Sequence, residues 1–190
     1  MKWKRLSSSK LAIYIDLLTT MAATKFIQGS GLNDETENEF YRKFNFELNG
    51  KCGEKKLDCH FKRRKDIAHL HPNTSYLIVR APFKRSEKIL TALAKGIWIL
   101  HESFIRKIIN EERWLDPKAF DVGNAPNPQS ELHFSFIAHR NVVRNGGGLF
   151  RTECAVVLLQ DYSLKEKYKR ILAAGGAQVL SRTVQHLVDR

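Results

Sequence analysis

The sequence predicts an α/β fold: a small parallel four-stranded sheet flanked by helices, followed by an incomplete second unit of the same kind. Three observations carry that reading. Two unbroken apolar runs, at residues 76–79 (Tyr-Leu-Ile-Val) and 97–100 (Ile-Trp-Ile-Leu), are too short for helices and read as strands buried on both faces. Between them lies a helix with both ends marked, by Ser86 at the N-cap and Gly96 just past the last turn. Strand, helix and strand in that order imply a parallel pair. After residue 150 a strand, a helix, a turn and a strand recur as a weak internal repeat.

The remaining elements follow in chain order. Residues 25–32 form a short strand that ends in Gly29-Ser30-Gly31. Asn33-Asp-Glu-Thr then opens a helix with a capping residue and acidic side chains at the favourable end. Phe40, Phe44 and Leu48 lie at i, i+4 and i+8 and predict its buried stripe, with Asn49-Gly50 ending it. Residues 57–61 are a candidate edge strand. On the helix that starts at Ser86, the spacing of Ile89, Leu90, Leu93, Ala94 and Ile97 predicts the inward face. Residues 101–110 form another amphipathic helix, with Phe104, Ile105, Ile108 and Ile109 inward. Asn124-Ala-Pro-Asn-Pro-Gln is a linker, and residues 132–144 a short helix stopped by three glycines at 146–148. In the repeat, residues 153–159 read as a buried strand, 163–174 as a helix, 175–180 as a turn into a strand, and 184–188 as a further strand. The expected organisation is an N-terminal extension at 1–23, a first domain at 24–123, a linker at 124–149 and a partial second domain at 150–190.

The helix start at Ser86 carries an electrostatic conflict. Lys84, Arg85 and Lys88 crowd it, and only Glu87 opposes them. The helix dipole already makes that end positive, so each cation there is unfavourable by about 0.3–1 kcal/mol. An anion held by the free N–H groups and the basic side chains would remove the conflict.

Composition sets the frame for a partner. The 190 residues are 43% hydrophobic and 10% aromatic, enough for packed cores. The net charge of +12 implies an acidic partner, such as nucleic acid, a phosphorylated peptide or an anionic membrane. Cys52, Cys59 and Cys154 are an odd number without a disulfide framework, which points to reduced thiols and an intracellular setting. No apolar run is long enough to span a bilayer, and no membrane partner is expected. The first 23 residues have the outline of a signal peptide, but Asp16 interrupts the apolar stretch, and a helical or frayed extension is the preferred reading.

Two segments, Arg85-Ser-Glu-Lys-Ile-Leu…Ala94-Lys-Gly-Ile-Trp-Ile-Leu and Trp114-Leu-Asp…Phe120-Asp-Val-Gly, resemble a BRCT domain. The resemblance runs from about residue 25 to the C-terminus. It is closest to the C-terminal tandem pair of the vertebrate topoisomerase II-binding scaffold, with a similar pair in the factor that recruits the structural-maintenance complex to damaged DNA. The resemblance implies a phosphopeptide-binding scaffold module of the DNA damage response or replication checkpoint. It further implies a nuclear location, phosphorylated repair or replication proteins as partners, no cofactor and no catalysis. In this family a hydroxyl residue ending the first strand, the next backbone N–H and a lysine at the start of the central helix hold the phosphate. Ser30, Gly31 and Lys88 match those positions, and Arg85 matches the arginine that grips the peptide main chain. The chain departs from the pattern in three ways. Phe104 stands where the family has a tryptophan, Asp34, Glu35 and Glu37 stand where some relatives carry a basic residue, and the second unit is incomplete.

Other constellations give weaker signals. Residues 51–65 hold seven cations against two carboxylates. They form a candidate DNA or DNA-end contact through Lys62, Arg63, Arg64 and Lys65 by counterion release, set against a plain solvated loop. The spacing of Cys52, Cys59, His60, His69 and His71 fits no standard zinc finger, so no metal is expected. Phosphate-loop, nucleophile-elbow and zinc-protease motifs do not occur in the sequence.

Overall fold

The structure is a computed structural model that describes residues 25–48, 59–63, 69–82, 85–122 and 135–180. Its centre is a parallel sheet of order β2–β1–β3–β4. The strands are β1 (Lys25–Ser30), β2 (Cys59–Lys62), β3 (Thr74–Val79) and β4 (Trp98–His101). Helix α1 (Asp34–Arg42) is N-capped by Asn33, whose side chain accepts from Thr36 N, and runs on into a π-helical segment, Lys43–Leu48. Helices α2 (Glu87–Lys95) and α3 (Ser103–Glu111) follow β3 and β4.

The alternation along the strands divides the core into two layers. Tyr76, Ile78 and Leu100 point to the face covered by Phe40, Phe44, Phe104, Ile105 and Ile108, on α1, the π segment and α3. Leu77, Val79 and Ile99 point to the other face, under Ile89 and Ala92 of α2. Helices therefore cover both faces, as buried parallel strands require. Phe40, Phe44 and Leu48 are all buried, so the expected stripe survives the widening into a π segment.

The buried face of α2 is rotated from the expected one. Lys88, Ile89, Ala92 and Ala94 are buried, whereas Leu90 and Leu93 are only half-buried. Ala92 ends at Cβ and lets the helix lie close on β3 and β4, and a later helix covers its flank. That helix is α5 (Tyr162–Ala174), which packs against α2, as does α4 (Ser135–Asn145). Two polar ties fix these contacts. Leu149 N donates to Ala94 O at 2.9 Å, and Arg170 grips Glu87 with Nε and Nη2 at 2.8 and 3.2 Å.

The second unit departs from expectation in its strands. β5 (Cys154–Val156) and β6 (Gln178–Leu180) pair in parallel but are short, and both show largely exposed residues. The run at 153–159 is not a buried strand: Leu158 is 68% exposed and only Val157 is buried. A two-stranded sheet is too narrow to bury its own faces. The expected linker at 124–129, the helix end at Asn49-Gly50 and the strand at 184–188 lie outside the described residues.

Candidate phosphate-binding site

The site is built where β1 ends and α2 begins. Gly31 follows the last residue of β1 with φ of 75°, in the left-handed region. A Cβ there would meet nothing within 4 Å, so glycine serves the backbone conformation and leaves the approach to its N–H open. Ser86, 56 residues beyond Ser30, caps α2 by accepting from Ile89 N at 3.3 Å. Ser30 Oγ and Ser86 Oγ lie 3.4 Å apart, so the end of the first strand meets the positive end of the central helix.

Lys88, in the first turn of that helix, is only 6% exposed. This is not the placement of a solvated surface lysine. A buried ammonium is costly unless its charge is balanced, which ties Lys88 to the electrostatics of this corner. Arg85 stands exposed, one residue before the cap. Glu87 is drawn away from the helix start: it faces Arg170 and sits 3.1 Å from His69 Nδ1. The hydrogen bond from Arg170, followed by the charges of Arg170, His69 and Lys167, outweighs burial and holds its carboxyl below the usual range.

The acidic start of α1 divides between solvent and interior. Asp34 and Glu35 are exposed, but Glu37 is buried, with Oε1 2.9 Å from where a Cβ on Gly29 would stand. Gly29 is therefore required by the close approach of Glu37 and Leu32 to β1.

Sequence reasoning assigned no role to Arg80, which follows β3 directly. Its Nε donates to Glu102 Oε1 at 2.8 Å and its Nη2 to Glu102 Oε2 at 2.6 Å, while Nη2 also reaches Thr36 Oγ1 at 3.0 Å. The bond to Glu102 raises the guanidinium pKa. One side chain thus joins the end of β3 to the starts of α1 and α3, along the same sheet edge as Ser30. The one available signal was a basic residue directly after a buried strand.

The other candidate residues are distributed as follows. Lys62 and Arg63 stand at the end of edge strand β2, while Arg64 and Lys65 lie outside the described residues. Cys59 is buried in the core, His60 and His71 flank Phe26 at 5.8 Å each, and His69 faces Glu87. Among the described residues no cluster could hold a metal ion. Phe104, in place of the family tryptophan, is fully buried against Tyr76, Trp114 and Phe120. Burial pushes the Tyr76 hydroxyl up to about 12. A cleft of about 250 Å³ lies between α2, α5 and the loop before β3, lined by His69, Pro72, Glu87, Thr91, Lys95 and Arg170.

A four-stranded parallel sheet of this order, with α2 on one face and α1 and α3 on the other, is the architecture of BRCT domains such as those of Brc1. The fifth and sixth BRCT domains of S. pombe Brc1 match with a TM-score of 0.57 at 13% identity, over 88% of this chain and 72% of that one. The S. pombe Nbs1–Ctp1 complex matches with a TM-score of 0.41 at 12% identity, over 87% and 47%. In sequence, the chain is similar to human SMC5-SMC6 complex localization factor protein 1, at 29% identity over 131 residues. That match takes in 66% of this chain and spans 12% of the human protein. No family model matches the sequence.

Proposed function

We propose that the protein is a non-catalytic scaffold module that binds phosphoserine or phosphothreonine on DNA-damage or replication proteins in the nucleus. The observation that carries the reading is the meeting of Ser30 Oγ with the capped start of α2. In this reading the Ser30 hydroxyl and the Gly31 N–H donate to the phosphate, Lys88 supplies charge, and Arg85 holds the peptide main chain. The repair setting draws on the similarity to the human localization factor. Kinship with the tandem pair of topoisomerase II-binding scaffolds belongs to the same proposal. So does the division into a BRCT domain at 24–123 and a partial second one at 150–190. A phosphopeptide library with unphosphorylated controls tests the reading directly. Selective capture of phosphorylated members supports it, and equal capture of both forms rejects it.

A second reading is favoured by Lys62 and Arg63, adjacent cations at the end of an edge strand in a chain of net charge +12. In it, this edge contacts DNA phosphates, and affinity falls steeply with salt.

A further inference from the structure

We infer that Phe46, Tyr41 and Arg63 form a stacking platform for single-stranded nucleic acid beside edge strand β2. The inference deepens the nucleic-acid reading and rests on it, and it is independent of the phosphate site.

Three side chains form a ladder. The Arg63 guanidinium lies 4.0 Å over the Tyr41 ring, and the Tyr41 ring meets Phe46 edge-on at 5.7 Å. The ladder ends in solvent, because Phe46 is 66% exposed. Its neighbours in the π segment, Phe44 and Leu48, are fully committed to the core. A π-helical turn is rare and tends to mark functional positions, and here it turns an aromatic ring outward.

The position of Phe46 is fixed by its neighbour. Asn45 Nδ2 donates to Phe61 O, and Phe61 N donates to Asn45 Oδ1, each at 3.0 Å. The Asn45 amide takes the place of a fifth strand at this edge of the sheet. Phe46 is thereby held beside the end of β2, where Arg63 lies on the Tyr41 side while Lys62 turns to the opposite face, with its Nζ 5.9 Å over the Phe26 ring.

The local charge suits a polyanion. Among the described residues Arg42, Lys43 and Arg63 lie around this segment, and Glu47 is already engaged by Arg42 and Lys43 at 3.2 and 2.6 Å. Arg63 also reaches Asn38 Oδ1 at 3.4 Å, which holds its plane over Tyr41. Cations beside an exposed ring are the elements of sequence-tolerant single-strand binding, in which the backbone is neutralised and a base stacks. A duplex keeps its base faces stacked inside and offers Phe46 nothing, which selects the single strand.

The test is fluorescence anisotropy of the full chain with labelled oligothymidine of about 15 nucleotides and with a duplex of equal length, over a salt series. The expected result is preference for the single strand and about tenfold weaker binding by Phe46→Ala, with an unchanged salt slope. Phe46→Trp should restore affinity and show quenching of its added indole on binding. Arg63→Ala should lower both affinity and slope. Because Phe46 is exposed, Phe46→Ala leaves the core intact, and an unchanged melting temperature checks this. If Phe46→Ala bound like the parent while Lys62 and Arg63 still set the salt slope, the platform would fall and the edge reading would stand. Absence of binding to either nucleic acid would overturn both.

Discussion

Ser30 Oγ lies 3.4 Å from Ser86 Oγ, although the two residues are 56 positions apart and belong to different elements. The contact exists because β1 is an inner strand and α2 runs back across the sheet to start at the strand ends. In open α/β sheets this edge, beyond the carboxyl ends of the strands, is where ligands gather.

Gly96 should resist any side chain. Its φ of 67° costs an L-residue about 1–2 kcal/mol. A Cβ there would also collide with the side chain of Val142 on α4. Gly96→Ala should lower stability by about 2–4 kcal/mol in denaturant unfolding. Because the nearest atom is the Val142 Cβ, which alanine would keep, adding Val142→Gly should recover the collision part and leave the backbone part. A double-mutant cycle with no coupling would show that α4 does not rest on Gly96.

Phe104 should behave as a structural residue. It is fully buried among Tyr76, Trp114 and Phe120, so Phe104→Ala should cost about 3–5 kcal/mol. Phe104→Trp should also destabilise, because a larger ring must displace Trp114 from its edge-on contact at 5.5 Å. Unfolding by urea measures both, and an unchanged midpoint for either contradicts the packing.

The tie between α5 and α2 should loosen in acid. The hydrogen bond from Arg170, with nearby positive charge, lowers the Glu87 pKa in the folded chain below its ordinary value of 4.5. A depressed carboxyl contributes stability above its unfolded value, and that contribution is lost as pH falls through the folded value. Protection of 162–174 against hydrogen exchange, corrected for intrinsic rates, should therefore hold at neutral pH and drop below about pH 4.5. Glu87→Gln should remove the pH dependence; a persistent drop would assign it elsewhere.

The second unit should open before the first. β5 and β6 are three residues each and largely exposed, whereas β1 and β3 are buried and paired on both sides. Hydrogen exchange at 154–156 and 178–180 should be faster than at 26–30 and 76–79. Equal protection would mean that the small sheet has cover not seen among the described residues.

Much of the first unit was legible because its signals are local. Ser86 and Gly96 mark α2 through cap chemistry, and the runs at 76–79 and 97–100 mark buried strands through their apolar continuity. The rotation of α2 was not legible, since Leu90 and Ala92 exchange places only once α5 and the sheet compete for the same helix. The exposure of Leu158 was hidden for a related reason: an apolar run does not reveal how wide its sheet will be. At the candidate site, Ser30, Gly31, Arg85 and Lys88 came from motif positions, and Ser86 from its capping role. Arg80 and Glu102 escaped because their pairing depends on strand order, which brings the end of β3 beside the start of α3.

The central claim is best tested by titrating one phosphoserine or phosphothreonine peptide, selected from the library, against the parent chain, Lys88→Ala and Ser30→Ala, each with its unphosphorylated control. Each lost charge-assisted bond is worth about 1.5–3 kcal/mol, so the account predicts phosphate-dependent binding by the parent and losses of about 10- to 100-fold in each variant. Ser30→Ala should keep the parent's melting temperature, and Lys88→Ala should remain folded. Equal affinity of the parent for the phosphorylated and unphosphorylated peptide, or full affinity in both variants, would contradict it.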